Sequence, residues 1–417
     1  MPQKAKRVLI VSYYFPPMGL GGVQRAAKTA KYLAQEGWHV HVLACNPDNY
    51  PIRDESLLND LPEEVEITYL DDPVARHSRP SAEHDYILRG RSHLLRRIVQ
   101  IPDSKKFWAD RATKTAEKII HDHSIAYLLT TSPPPSTHTV GIDLKRDFCV
   151  SWLADFRDPW FADSEKPITV LHTALQQNLE KNIIQYADRI VGVTSAHVRD
   201  LQKRYARFKD KIHHIPNGFD GDDFKNVEES FPEKLILAHG GTLCSPHTAG
   251  AFFEALLRLE SEMLNQTEFW QIGAVDQEIH DMLLTRFADK IKIEFTGYMN
   301  HRDTLRQLAK SSAIVVFGGV DKKSLNIIPA KLYEGLAFKK PLLAVVEKTS
   351  AVHEVISRLQ GVHHLDPDDS EGMKNLLKKI VDDHKAGTLF NQSRLSQLRK
   401  YERKYQARQM AELMENI

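Results

Sequence analysis

The stretch "RVLIVSYYFPPMGLGGVQRAAKTAKYLAQEGWHVHVL", Arg7 to Leu43, decides the fold. It opens with a continuous apolar run over 7–12, passes through a glycine loop at 13–22 and enters a helix over 23–36. Ala26, Ala27, Ala30 and Leu33 recur there at helical spacing, and Gly37 supplies the residue just past the helix end. A second apolar run, 39–44, follows. Apolar strands without alternation are buried on both faces, and helices between them imply a parallel sheet.

Working outward, the same rhythm continues. Further strands are expected at 67–70, 127–130, 149–154 and 189–193, with helices at 109–122, 136–145 and 168–186. A new series starts after "IPNGFDGDDF" (215–224). It gives strands at 235–239, 268–272, 291–296, 313–317 and 342–346, and helices at 249–264, 276–288, 303–310 and 329–338. The fold class is therefore α/β, with two doubly wound Rossmann-like domains facing across a cleft. The expected domains are 1–220 and 221–390, followed by a helical tail, 391–417, that packs back on the first.

Length and composition fit this reading. A chain of 417 residues exceeds one typical core, so two domains of roughly 200 residues are the natural division. The formal charge of +1 leaves no global footprint for nucleic acid. Three widely spaced cysteines, Cys45, Cys149 and Cys244, exclude a disulfide framework and fit a reducing compartment. No window approaches the roughly 20 apolar residues of a membrane span, so a cytoplasmic protein is expected.

Ligands of open α/β sheets bind at the carboxyl ends of the strands, so the loops there carry the candidates. Gly19, Gly21 and Gly22 lie between a strand and a helix, where backbone N–H groups and the helix dipole can hold an anion. Their spacing is not G-x-G-x-x-G, because Gln24 stands where the last glycine would fall. In "ADFRDPW", Asp155, Arg157 and Asp158 follow a strand; they form either a hydroxyl-orienting acid–base set or a structural Asp–Arg pair. In "LAHGGTLC", His239, Gly241 and Thr242 sit in a phosphate-compatible turn, although a lone histidine is more often a satisfied packing group. Gly273 in "QIGAVD" lets a planar base approach the backbone.

The last loop is "FGGVDKKSLNIIPAKLYEGLAFKKPLLAV" (317–345). Ser324 and the helical turn opened by Pro329 can offer N–H groups to a diphosphate. Glu334 lies one turn deeper, suited to vicinal ribose hydroxyls; the competing reading is an i,i+3 pair with Lys331 worth a few tenths of a kcal/mol. Zinc, Walker A and serine-hydrolase signatures are lacking, and His121, His123, His213 and His214 read as solvated. Residues 88–118 hold nine basic and three acidic residues with Leu94, Leu95, Ile98, Val99 and Trp108 interleaved. Such a segment is either a peripheral contact with an anionic membrane or a helical insertion with a solvated face.

Taken in order, "YYFPPMGLGGVQRAAKTAKYLAQEGWHVHVL", "TTSPPPSTHTVG", "ADFRDPW", "ADRIVGVTSAHVRDL", "IPNGFD", "FTGY" and "IPAKLYEGLAFKKPLLAV" resemble the GT-B glycosyltransferases, most closely glycosyltransferase family four. The resemblance covers almost the whole chain. It implies retaining transfer of a sugar from a nucleotide diphosphate donor, without metal, to a glycan or lipid-linked acceptor; the basic segment 88–118, by its composition, would bring the protein to the inner face of a membrane. The nucleotide sugar is then seated on the second domain and the acceptor on the first.

By position, Glu334 is similar to the family's ribose-binding glutamate, and Asn326 falls where a Glu-x7-Glu motif has its earlier glutamate. Thr242 and His247 stand where many members carry Arg and Lys, leaving phosphate charge to Lys331, Lys322 or Lys323. The donor contacts are thus expected at His239, Gly241, Gly273, Ser324 and Pro329 from the loops themselves, and at Thr242 and Asn326 by position within the resemblance. The resemblance places Asp155 and Asp158 where relatives often carry an acceptor-side histidine; Gly21, Gly22 and Arg157, read from their own loops, are expected as the acceptor or phosphate loop. A nucleotide-sugar epimerase of the same architecture, or a catalytically weakened nucleotide-sugar-binding partner, are the competing readings.

Overall fold

Strand β1 (Arg7–Ser12) pairs in parallel with β2 (His39–Cys45) on one side and β4 (Tyr127–Ser132) on the other. That placement fixes the first half of the chain. In the computed structural model, residues 5–19, 21–50, 52–74, 101–160, 169–321, 324–389 and 395–417 are described. They fall into two units, one comprising residues up to Asn217 together with Arg403–Ile417, the other Gly218–Glu402.

The first unit adds β3 (Glu66–Leu70), β5 (Ser151–Phe156), β6 (Arg189–Gly192) and β7 (Ile212–His214) in the order β3-β2-β1-β4-β5-β6-β7, every pair parallel. β4 and β5 are buried along their whole length, whereas the edge strand β3 keeps exposed residues. This contrast is what a sheet covered on both faces requires. Helices α1 (Gln24–Gln35), α2 (Lys106–Asp122), α3 (Thr137–Phe148), α4 (Val170–Tyr186) and α5 (Ser195–Arg204) make the crossovers. Thr169 and Thr194 accept from His172 and His197 N–H and so start α4 and α5.

The second unit has β8 (Leu235–Gly240), β9 (Thr267–Ile272), β10 (Lys292–Gly297), β11 (Ala313–Phe317), β12 (Leu342–Val345) and β13 (Val362–Leu365). Their order is β10-β9-β8-β11-β12-β13, again all parallel. The helix expected over 249–264 is two, α6 (Pro246–Leu257) and α7 (Ser261–Asn265). Extended backbone at Glu260 separates them and lets Leu259 and Met263 both reach the core. Helices α8 (Gln277–Arg286), α9 (His301–Leu308), α10 (Ala330–Ala337), α11 (Ala351–Ile356) and α12 (Ser370–Lys385) complete the unit.

Helix α13 (Arg403–Glu415) belongs to the first unit and lies on α1. Met410, Ala411 and Met414 join the apolar cluster of Ala26, Ala27, Ala30 and Leu33. With the sheet below and α13 beside it, α1 buries even Arg25, Lys28 and Lys31. Each is paired: Lys28 and Lys31 both reach Asp60, at 2.7 and 2.8 Å.

Arg25 meets Asp155 on β5, with Nε 2.9 Å from Oδ2 and a terminal nitrogen 2.8 Å from Oδ1. Asp155 Oδ2 also accepts from Thr131, and Arg25 donates to the carbonyls of Ile215 and Pro216. So the structural Asp–Arg pair exists, but Arg25 rather than Arg157 is the partner. Burial alone would push the Asp155 carboxyl up; the guanidinium of Arg25, helped by Thr131 and Arg157, holds it below the usual value.

One expectation on the basic segment changes, and part of the segment is not covered. Residues 88–100, with Leu94, Leu95, Ile98 and Val99, lie outside the described residues. Trp108 is fully buried, packed edge-on against Tyr13 and donating to the Leu70 carbonyl, so it offers no aromatic face to a membrane. His213 is half-buried on β7, and burial lowers its basicity, contrary to the solvated reading. No helix among the described residues is long and apolar enough to cross a membrane.

Two substitutions test this packing. A Cβ at Gly141 on α3 would run into the Trp152 ring, whereas at Gly250 on α6 the nearest atom is Met282 Sδ at 3.6 Å. Gly141→Ala should therefore cost about 1–3 kcal/mol in denaturant unfolding through overpacking, while Gly250→Ala should gain up to about 1 kcal/mol from helix propensity. Asp155→Asn strands a buried guanidinium and should cost about 3–5 kcal/mol; Arg25→Met combined with Asp155→Leu should recover much of it. Because the folded carboxyl is the stronger acid, its contribution is present above the unfolded value of about 4 and is lost as pH falls through the folded one. Acid titration of unfolding should thus be shallower in the double variant than in the wild type.

Candidate functional site

In each sheet the strand order reverses beside its first strand, β1 in one unit and β8 in the other, and the loops leaving those strands hold most of the candidates. In the second unit β8 ends in His239 and Gly240, and Gly241 turns with φ +95°. Its N–H donates to Ile272 at the end of β9. Gly273 has φ +124°, and a Cβ there would lie 2.8 Å from the Gly241 carbonyl oxygen. The close approach inferred for Gly273 is thus met by the Gly241 backbone itself. Gln271 locks this crossing by donating to the carbonyls of Gly241 and Ala274.

Lys331, in the first turn of α10, reaches this turn. Its ammonium donates to the Thr242 carbonyl at 2.7 Å and lies 3.3 Å from His239 Nε2. His239 is 1% exposed, and Nδ1 sits 2.8 Å from the Val315 carbonyl, so Nδ1 carries the proton and Nε2 offers its lone pair to Lys331. Burial, reinforced by Lys331, pushes His239 down to about 3, and the ring is neutral. His239 is thereby placed to position Lys331. Burial also pushes Lys331 down to about 8, partly opposed by Cys244 and Glu334. A Cβ on Gly241 would sit 3.2 Å from that ammonium, which leaves little room there for any larger residue.

Glu334, one turn along α10, is half-buried, and its Oε1 is 3.1 Å from His301 Nε2. His301, the first residue of α9, in turn has Nδ1 3.9 Å from Asp223 Oδ2. Lys331 and Glu334 thus point to different neighbours. His301 carried no signal in the sequence, since its meeting with Glu334 exists only once α9 and α10 flank one sheet edge.

Pro329 is the residue before α10, with extended ψ of 137°, and no side chain caps the helix. Its first-turn N–H groups are therefore not taken by a cap. Ser324 is placed differently from expectation: its N–H and hydroxyl both donate to Asp321. Asn326 ends the short turn Ser324–Asn326 and is exposed, as are Thr242 and His247. Lys322 and Lys323 lie outside the described residues.

In the first unit Gly21 and Gly22 are exposed in a single 3-10 turn that runs into α1, itself without a side-chain cap. A Cβ on either would meet nothing within 4 Å, so packing does not demand glycine there. Arg157 donates to the carbonyls of Ser132 and Gly22, tying the loop to the end of β4. Asp155 is 1% exposed and held by Arg25 and Thr131, whereas Asp158 is half-buried just beyond β5. Near them His138, from "TTSPPPSTHTVG", is fully buried, stacked on Phe156 and hydrogen-bonded through Nδ1 to Thr130. Burial pushes it down to about 3.

Residues 20–223 match the family model described as Glycosyltransferase Family 4. No curated protein matches the sequence. Among solved structures, the chain is similar to sucrose-phosphate synthase from Thermosynechococcus elongatus, with TM-score 0.69, 14% identity and 98% of each chain covered. It is also similar to HepE from Anabaena in complex with UDP, with TM-score 0.64, 12% identity, and 99% of this chain and 100% of that one covered. For WaaG, a glycosyltransferase involved in lipopolysaccharide biosynthesis, the TM-score is 0.60 at 14% identity, covering 97% of this chain and 95% of that one. These likenesses span both units and show the GT-B fold. The Glycosyltransferase Family 4 match lies within the first unit and the start of the second, and covers just under half of the chain.

Proposed function

We propose that the protein is a retaining glycosyltransferase that takes a sugar from a nucleotide diphosphate donor held by its second unit. The observation that carries this is the placement of Lys331 and Glu334 one turn apart on α10, with the Lys331 ammonium fixed at the Gly241–Thr242 turn. In this reading Glu334 accepts the ribose hydroxyls, and Lys331 with the uncapped first turn of α10 faces the diphosphate. Negative charge grows on the leaving diphosphate as the glycosidic bond breaks, and preorganised N–H donors stabilise it there. Asn326 and Thr242, both exposed, are assigned to contacts with the donor's sugar and phosphates.

In a front-face retaining transfer the departing phosphate oxygen takes the acceptor proton, so no strong protein base is needed. The engagement of Asp155 by Arg25 supports that route and leaves Asp155 a positioning role. Asp158, Gly21 and Gly22 are assigned to the acceptor side. The acceptor class is a glycan or lipid-linked sugar in cell-surface polysaccharide, glycolipid or lipid-linked oligosaccharide synthesis. The involvement of the structural relative WaaG in lipopolysaccharide biosynthesis supports this choice. No metal is assigned to the transfer step.

A panel of nucleotide diphosphate sugars, read by thermal stabilisation and then by nucleotide release with acceptors, tests the proposal. Glu334→Ala should weaken nucleotide binding by about 2 kcal/mol, through loss of charge-assisted hydrogen bonds. Unchanged affinity with only lowered stability would remove the ribose assignment. The Lys331 amine, pushed down to about 8, must be protonated to meet a diphosphate. Nucleoside diphosphate affinity should therefore hold below pH 8 and fall about tenfold per pH unit above it. Lys331→Arg should flatten that profile by calorimetric titration, whereas a flat wild-type profile would show that Lys331 does not carry the phosphate.

A further inference from the structure

The opposite, amino-terminal edge of the first sheet holds a second cluster. His41 is the third residue of β2, Glu66 the first of β3, and His123 the residue that ends α2, just ahead of β4. Parallel pairing sets His41 directly beside Glu66. The ligand atom offered by each side chain lies within 4.8 Å of the other two. Glu66 Oε2 is 3.5 Å from His41 Nδ1 and 3.6 Å from His123 Nδ1. Tetrahedral bonds of about 2.0–2.1 Å to one ion place ligand atoms about 3.3 Å apart, so these separations fall near that geometry.

The imidazole of His41 supplies the independent sign. It is 7% exposed, and its Nδ1 is buried with no hydrogen-bond partner. A buried polar nitrogen left in that state is costly and calls for an explanation. Its other nitrogen, Nε2, lies 2.8 Å from Thr68 Oγ1 on β3. Donation from Nε2 to Thr68 leaves the lone pair on Nδ1, aimed at Glu66 and His123. This is how a metal-ligating histidine is oriented by a partner outside the coordination sphere. The carbonyl of His123 accepts from Arg7, which fixes the end of α2 against β1. Glu66 is largely exposed, so a fourth position opens to water.

We propose that His41, Glu66 and His123 form a site for a divalent transition metal of the zinc class, apart from the loops assigned to sugar transfer. Two imidazoles and one carboxylate suit zinc, cobalt, nickel or copper and are poor ligands for magnesium. The ion would clamp β2, β3 and the end of α2, so its binding would add stability to the first unit.

The test uses the full-length chain stripped by a chelator. Cobalt added to the wild type should give the visible bands of a tetrahedral complex at one equivalent, displaced by zinc. Zinc should raise the melting midpoint and magnesium should not. His123→Gln and Glu66→Gln alter partly exposed side chains and should leave metal-free melting unchanged, while each weakens cobalt binding about tenfold or more. Thr68→Val, which removes only the hydrogen bond to Nε2, should weaken it roughly tenfold. Wild-type cobalt affinity in both His123→Gln and Glu66→Gln, or an octahedral cobalt spectrum in the wild type, would overturn the proposal.

Discussion

Parallel pairing is the constraint on which both units depend. A parallel strand needs a crossover to return the chain, and crossover helices cover both faces of the sheet. In the first unit β4 and β5 are buried throughout, and in the second β8, β11 and β12 are as well. Chemistry is thereby displaced from the faces to the strand ends. There the order reverses at β1 and β8, and diverging loops leave room for a ligand. The glycine loop after β1 and the Gly241 turn after β8 stand at equivalent points for that reason.

At the second of these points, two glycines do different work from the pair in the first. Gly241 and Gly273 adopt positive φ and let two loop backbones cross with no Cβ between them. The crossing presents the Thr242 carbonyl to Lys331, and His239 offers a neutral ring nitrogen to the same ammonium. Burial is why the Lys331 proton is loosely held, and Cys244 and Glu334 offset it only in part. A diphosphate would supply what these neighbours lack. Gly21 and Gly22, by contrast, have open space around them and face solvent.

In the first unit a buried ion pair joins segments far apart in sequence. Arg25 on α1 binds Asp155 on β5 and the carbonyls of Ile215 and Pro216, just before the chain passes to the second unit. Removing either charge would strand the other in the core, so the pair dictates where α1 lies. Helix α13 then seals the outer side of α1, burying Met410 and Met414 with the alanines of that helix.

The sequence by itself determined the parallel α/β architecture, because apolar runs without alternation and helices of regular period are local signals. It also located the turns at Gly241 and Gly273 and singled out Lys331 and Glu334, through spacing along one helix. Tertiary structure decided the partners. Asp155 could be read as pairing with Arg157 because the two are neighbours in sequence, yet Arg25 takes it from across the sheet. His239 could be read as a ligand contact or a satisfied packing group, and only its burial and the Val315 carbonyl fixed its tautomer. Neither the His301–Glu334 contact nor the convergence of His41, Glu66 and His123 has a sequence signature. Each arises where strands and helices distant along the chain are brought to one sheet edge, and periodicity within a single element carries no record of that meeting.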